Sequence, residues 1–262
     1  MRAVAIDADV IVFVSRVWQT TCTAVRAGDE GFVIDSPVYP DELEALAGVL
    51  EQAAFPVSGL LVTHADWDHL LGRLAFPRAS LGCAESTATR LSAEPGRAQL
   101  GLRTFDDEHY VEGRGPLALG SVQSLPVPGR VDLGPAHQLE LYATVGHTAD
   151  GAAFWIPWLG VLCCGDYISP VEIPMISPGG SLGAYQATLV RLAPLVDKST
   201  TVVPGHGGPL SADQAHRLLR EDAAYLQALQ QDGKAAVLPP GRATAAQQRI
   251  HAENASRASG GE

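Results

Sequence analysis

The chain has 262 residues, 46% of them hydrophobic, and carries 18 basic against 29 acidic side chains, for a formal net charge of −11. A chain of this length is expected to fold as one domain around a large core. Because a general nucleic-acid binder needs an excess of Lys and Arg to bind phosphates, the charge balance argues against that class and favours a small-molecule substrate.

The first half of the chain predicts an N-terminal sheet followed by alternating strands and helices. Apolar and β-branched runs predict strands, and "GDE" at 28–30 is typical of a hairpin turn between two of them. Leucines at helical spacing after Pro40 predict an amphipathic helix. The expected strands are 4–17, 20–27, 31–39, 57–64 and 79–86, and the expected helices are 40–54, 68–76 and 86–94.

The second half repeats the order of sheet and then helix, after a segment at 94–116 whose many charges and glycines predict a loop-rich insertion. The last predicted helix, 212–231, has Ser211 as its expected N-cap and an apolar leucine stripe. The other expected elements are strands 137–145, 152–159, 160–166 and 200–206 and a helix at 183–196.

The composition near the two ends of the sequence, together with the cysteines, predicts the extent of the domain and the cellular location of the protein. Residues 1–233 are expected to form the single domain, whereas 234–262 mix Pro, Gly, Ala and polar residues with little to bury and predict a mobile or partly helical tail. The N-terminal apolar run is broken by Asp7 and Asp9, which does not fit a signal peptide. No run reaches the roughly 20 apolar residues of a membrane span. The four cysteines include no CxxC pair, so a reduced, cytoplasmic protein without a membrane partner is expected.

Histidines and acids recur directly after the predicted strands. The run "THADWDH" at 63–69 follows one strand, "VGHT" ends in Thr148 after another, "CCGD" ends in Asp166, and "VPGH" ends in His206. Because strand ends on one edge of a sheet meet in space, these distant residues are expected to form a single site. Imidazole suits zinc, iron and other first-row metals, and a carboxylate can bridge two ions. The pattern predicts a metal centre with enough ligands for two ions.

Four segments, "HADWDH" at 64–69, "GHT" at 146–148, "GD" at 165–166 and "PGHG" at 204–207, carry a resemblance to a known family. Their order resembles that of the metallo-β-lactamase-fold superfamily, whose motifs are HxHxDH, GH or GHT, GD and GH. Here the first motif is the variant HxDxDH. The resemblance implies an α/β protein with an αββα sandwich and two metals in a groove at one edge of the two sheets.

The resemblance also implies a division of the ligands. Two divalent ions would be bound, with zinc the first expectation. The first site would use His64, the residue at 66, and His147, the second would use Asp68, His69 and His206, and Asp166 would bridge both. Asp66 replaces the usual histidine, and it either ligates directly or orients a histidine from outside the ligand shell. As a ligand it leaves the site less positive and shifts its preference toward iron or manganese.

The function implied is that of a metallo-hydrolase in which a metal-bound hydroxide attacks a small-molecule ester, lactone, thioester or related substrate. Asp68 would be both a ligand and a proton acceptor, Asp166 would bridge, and Tyr167 would either donate a hydrogen bond to a substrate oxygen or pack. Three alternatives stay open. A carboxylate at position 66 resembles flavodiiron reductases, which suggests diiron redox chemistry, and it resembles the nuclease-like domain of competence proteins, which suggests a phosphodiesterase or nuclease. A non-catalytic binding protein of the same fold is the third.

Overall fold

Two β-sheets packed face to face form the centre of the protein, whose computed structural model describes residues 1–133 and 136–259. In the first sheet the described strands lie in chain order, β1 to β7, antiparallel from β1 to β4 and parallel from β4 to β7. These strands are β1 Arg2–Ala5, β2 Val10–Val14, β3 Thr21–Ala27, β4 Glu30–Asp35, β5 Gly59–Val62, β6 Ser80–Ala84 and β7 Val122–Leu125. The predicted "GDE" hairpin is confirmed as the β3–β4 connection.

The second sheet is built from the second half of the chain, in the order β13-β12-β11-β10-β9-β8. Its strands are β8 Gly129–Leu133, β9 His137–Ala143, β10 Ala152–Ile156, β11 Val161–Cys163, β12 Thr201–Val203 and β13 Leu210–Ser211. The pair β11–β12 is parallel and the other pairs are antiparallel. Strands β11 and β12 therefore end at the same edge, where Asp166 and His206 follow them.

The strands are buried on both faces, because each sheet has the other sheet on one side and helices on the other. In β4, Phe32 and Ile34 belong to the core between the sheets, whereas Val33 faces the helices of the first half. In β10, Phe154 faces the first sheet and Trp155 faces the helices of the second half. Alternate side chains of one strand thus pack into two different cores, because successive side chains point to opposite faces of the sheet. This explains the near-continuous apolar runs in the sequence.

Helices cover the outer face of each sheet, which confirms the predicted αββα sandwich. Four described helices pack with the first sheet and three with the second. They are α1 Pro40–Gln52, α2 Gly72–Ala75, α3 Glu85–Ala93 and α4 Arg97–Glu108, and then α5 Leu182–Val196, α6 Ala212–Asp232 and α7 Ala245–Ser259. Ser211 caps α6 as predicted, by accepting a hydrogen bond from the backbone N–H of Gln214. None of the described helices combines the length and apolar character needed to cross a bilayer.

The prediction that 94–116 is a loop-rich insertion is wrong, because α4 occupies half of it. Ala98, Leu102 and Phe105 lie on one buried face of α4, and Gly101 lies so close to the Trp67 ring that an added Cβ would stand 2.7 Å from Trp67 Cδ1. The remaining positions are mostly charged or polar and face outward, which obscures the helical period in the sequence. Strands β7 and β8 were also not predicted, since their residues are mostly exposed or half-buried and lack an apolar run.

The segment after residue 233 packs against the domain, so the prediction that it has little to bury is wrong. It forms α7, which agrees with the partly helical alternative. Its buried residues include Ala255 and three polar side chains, Arg242, Gln247 and Asn254, and Arg242 pairs with the buried Asp222 of α6 at 2.6 Å. Part of this contact is made by buried polar residues, which hydrophobic patterning does not reveal.

Candidate metal centre

The seven predicted ligands meet at one edge of the two sheets. His64 follows β5, Asp68 and His69 lie on a short 3-10 turn at Trp67–His69, and Asp166 and His206 follow the parallel strands β11 and β12. The four histidine side chains are 0–6% exposed. Strand ends of both sheets thus converge on a single buried cluster, and its members are His64, Asp66, Asp68, His69, His147, Asp166 and His206.

Three groups of side chains within the cluster could each hold an ion; two contain the residues predicted for the two sites, and the third is His64, His69 and Asp166. In the first, Asp66 Oδ2 lies 3.7 Å from His64 Nε2 and 3.4 Å from His147 Nε2. In the second, Asp68 Oδ2 lies 3.5 Å from His69 Nε2 and 3.6 Å from His206 Nε2. The donor atoms within each group all lie within 4.8 Å of one another. Each group therefore has the size of a single metal site.

Asp166 stands between the two groups. Its Oδ1 is 3.2 Å from His69 Nε2, and its Oδ2 is 3.2 Å from His147 Nε2 and 3.3 Å from His206 Nε2. One carboxylate thus contacts histidines of both groups, which is the arrangement that a bridging ligand needs. Gly205 makes room for it, because a Cβ at that position would collide with Asp166 Oδ1.

Each histidine is oriented by a hydrogen bond at Nδ1. The Nδ1 of His147 donates to the Met175 carbonyl at 2.8 Å, and that of His206 donates to the Trp18 carbonyl at 3.2 Å. His69 Nδ1 donates to Asp35 Oδ2 at 3.0 Å. The Thr63 hydroxyl gives its proton to Asp35, so it accepts from His64 Nδ1 at 3.0 Å. With Nδ1 protonated, each neutral ring presents the Nε2 lone pair to the centre of the cluster.

Several polar atoms in the centre lie close to one another but make no hydrogen bond of suitable geometry within the described part of the chain. They are Nε2 of His64, His69 and His147 and Oδ1 of Asp166, and all are buried. Buried polar atoms without a partner are costly, so an arrangement of this kind calls for a ligand. Imidazole nitrogens and carboxylate oxygens are the donors that first-row divalent metals take. The residues therefore fit a two-metal centre.

The electrostatics of the cluster also favour a cation. Burial lowers the pKa of His147, but the charge of Asp166 and the hydrogen bond and charge of Asp66 together outweigh burial and raise that pKa to about 9. The pKa of His206 is raised to about 10 against the effect of burial, by Asp166 and Glu172. In both cases the surrounding carboxylates stabilise positive charge at the ring. A divalent ion would supply that charge instead of protons.

Asp66 forms an ion pair with Arg90, which lies outside the cluster. Arg90, on α3, donates from Nη2 to Asp66 Oδ1 at 2.7 Å and from Nη1 to Asp150 Oδ1 at 2.8 Å. Asp150 in turn accepts from the backbone N–H of Ala65 at 2.9 Å. Asp66 thus keeps one oxygen on Arg90 and turns the other toward His64 and His147. Burial would raise the pKa of Asp66, but its contacts with His147 and His64 hold that pKa well below its usual range.

Sequence reasoning missed the residues that support the ligands. Asp35 is predicted only as part of a strand, yet it accepts hydrogen bonds from the Thr63 N–H and hydroxyl and from His69. Arg90 lies in no motif. Asp150 follows closely after "GHT", and its position beside a ligand motif is the one signal that points to a role.

Tyr167 lies behind the ligands. Its side chain is buried, its hydroxyl accepts a hydrogen bond from the His147 N–H at 3.0 Å, and its ring packs on Tyr185. Burial raises its pKa above the usual tyrosine value. This placement fits the alternative in which Tyr167 packs. The hydroxyl orients the His147 backbone and is not exposed to a substrate.

A cavity of about 720 Å³ opens directly onto the cluster, since Asp66 and Asp68 are among the residues that line it. Trp18, Trp67 and Phe105 form an aromatic wall, with ring centroids 5.0–5.7 Å apart. The α4 helix, missed in the sequence, supplies Phe105 and also lines the cavity with Arg97, Thr104 and Glu108. The predicted ligand cluster is therefore reachable by a small molecule.

A model of the metallo-beta-lactamase superfamily matches residues 15–206 of this chain. No curated protein matches it. Among solved structures, a metallo-beta-lactamase from Pontibacter korlensis is 20% identical, with 84% of this chain and 98% of that one covered and a TM-score of 0.62.

Two further structures show the same fold at low identity. A metallo-beta-lactamase family protein from Thermus thermophilus is 19% identical over 88% of this chain and 83% of its own, with a TM-score of 0.69. The protein TTHA1623, solved in a di-iron-bound form, is 23% identical over 79% of this chain and 97% of its own, with a TM-score of 0.61. At these identities the similarity concerns the fold.

Proposed function

The chain belongs to the metallo-beta-lactamase superfamily, and from this membership and its two ligand groups we propose that it is a dinuclear metallo-hydrolase acting on a small-molecule ester, lactone or thioester. The observation that carries the proposal is the set of buried His Nε2 atoms and the Asp166 oxygen that have no other described partner. Members of this superfamily are generally metallo-hydrolases.

The geometry supports an assignment of ligands to the two ions. His64, Asp66 and His147 would hold one ion, Asp68, His69 and His206 the other, and Asp166 would contact both. Two ions held this way would acidify a bound water and polarise a substrate carbonyl. Zinc is the first expectation, because four imidazoles dominate the donors.

Side chains and backbone groups of the chain would have three roles in the proposed reaction. Asp68 lies on the wall of the cavity, where it is placed to take a proton from the attacking water and to return it to the leaving group. Asp35 and the Met175 carbonyl would keep the histidine rings in their ligating tautomer. The aromatic wall would bind an apolar part of the substrate and exclude water from it.

A second candidate is redox chemistry at a diiron centre, and Asp66 is the observation that favours it. A carboxylate at this position makes the first group harder, and a protein of the same fold binds two irons. Arg90 weakens this case, since it takes one oxygen of Asp66 and offsets its charge. Stoichiometric iron with a spectrum that changes on reduction would replace the hydrolase proposal with this one.

Asp68→Asn tests the hydrolase proposal. We expect turnover of aryl esters, thioesters and lactones to fall by about 10²–10⁴-fold, the range that a general acid–base group supplies, while the circular dichroism spectrum stays unchanged. Steady-state kinetics of both proteins, purified with metal, measures this. Asp106→Asn is the matched control, because Asp106 is also buried but pairs with Arg114 away from the cluster. Equal turnover in Asp68→Asn and the parent, with the metal retained, would refute the role of Asp68.

A further inference from the structure

One loop holds two of the histidine ligands in place. This anchor loop, residues 169–177, has no helix or strand. Its Met175 carbonyl accepts from His147 Nδ1 at 2.8 Å, and its Ser177 N–H donates to the His147 carbonyl at 2.8 Å. At its other end the Ser169 hydroxyl donates to the His206 carbonyl at 2.8 Å. The position of the loop therefore decides the position of ligands in both metal groups.

The anchor loop takes its own partners from the C-terminal segment. Asn254, fully buried on α7, accepts from the Ile176 N–H through Oδ1 at 2.8 Å and donates to the Pro174 carbonyl through Nδ2 at 2.6 Å. Ile176 N–H can only donate and the carbonyl can only accept, so the orientation of the amide is fixed. One side chain thus bonds the backbone on both sides of Met175.

Two more buried side chains hold the rest of the loop. Gln247 accepts from the Ile173 N–H through Oε1 at 2.7 Å. Arg242 donates from Nη1 to the carbonyls of Ser169 at 3.1 Å and Glu172 at 2.9 Å. A loop without regular structure must find partners for its buried backbone groups, and here a distant part of the chain supplies them. These bonds leave little freedom for the backbone that carries Met175.

We propose that Asn254 and Gln247 are positioning residues of the metal centre, acting on His147 through the Met175 carbonyl. The inference rests on the metal-binding part of the proposed function. Both residues lie beyond the part of the chain that matches the family model, which ends at residue 206. The C-terminal segment thus helps to complete a ligand site, and its contribution is the fixed direction of one imidazole ring.

The test measures zinc affinity by competition with a chromogenic chelator in the full-length chain. Removing an outer-shell partner of a ligand typically costs 10–100-fold in metal affinity, and we expect about tenfold for Asn254→Ala at the ion of the first group, which contains His147. A smaller loss is expected for Gln247→Met, since Ile173 is two residues from Met175. The control is Ile250→Ala, which removes apolar packing of α7 against the core but leaves the hydrogen bonds from α7 to the anchor loop in place.

A second readout needs no metal. The His147 Nδ1 proton, buried in its bond to Met175, should exchange with solvent at least about tenfold faster in Asn254→Ala than in Ile250→Ala, as followed by NMR of the metal-free protein. Weaker zinc binding and faster exchange in the Asn254 and Gln247 variants alone would support the proposal. Equal values in all three variants would overturn it. If the parent chain binds no zinc, the proposed function fails, and the exchange rates still decide whether Asn254 positions His147.

Discussion

An Asp166→Asn variant is expected to keep its fold and to lose high-affinity binding of both metal ions, with each affinity falling by at least about 100-fold. Asp166 contacts histidines of both groups at 3.2–3.3 Å, so its loss affects both ions at once. An amide of the same size keeps the packing but removes the negative charge and the second acceptor oxygen. Removal of any other ligand is expected to affect mainly one ion.

Zinc titration with a competing chelator, together with elemental analysis after dialysis, measures this effect. Asp106→Asn again serves as the control for the loss of a buried carboxylate remote from the cluster. Thermal unfolding of the metal-free variants checks that both are folded. Two ions retained by Asp166→Asn at the parent affinity would show that Asp166 does not bridge.

The second large effect concerns Asp66 and Arg90. Asp66→His restores the residue that most of the superfamily has, yet we expect it to weaken the first metal group by at least about tenfold. A histidine that ligates through one ring nitrogen must carry a proton on the other, and that N–H would face the Arg90 guanidinium, which is also only a donor. Asp66 accepts from Arg90 at 2.7 Å and so avoids this conflict.

The double variant Asp66→His/Arg90→Gln is expected to recover part of the lost affinity, because it removes the cation and supplies an amide oxygen as an acceptor. Arg90→Gln alone is the control, and calorimetric titration of all four proteins with zinc gives the coupling between the two positions. Full affinity in the single Asp66→His variant would contradict the explanation. Arg90 would then not explain why position 66 is an aspartate.

The residues of the candidate metal centre could be predicted from the sequence because each lies in a short motif that follows a strand. His147 and His206 are far apart in the chain, but both follow strands of one sheet, so a common edge brings them together. The sandwich could be predicted for a similar reason, since apolar runs such as the one around Phe154 indicate strands buried on both faces.

The groups that support the ligands could not be predicted, because their partners come from elements remote in sequence. Arg90 is one of several arginines on helical segments, and only the packing of α3 brings it to Asp66. Asn254 lies 80 residues beyond Pro174, whose carbonyl it contacts. Such polar side chains resemble surface residues by composition, and their burial depends on hydrogen bonds that a hydropathy pattern does not record.

The metal content per chain tests the central claim most directly. The protein would be purified without chelator or added metal and analysed for zinc, iron and manganese, beside Asp166→Asn. Two ions per chain in the parent and fewer than one in the variant are the result that the two-group arrangement predicts. A parent chain that holds no metal, and takes up none from excess zinc, would contradict it.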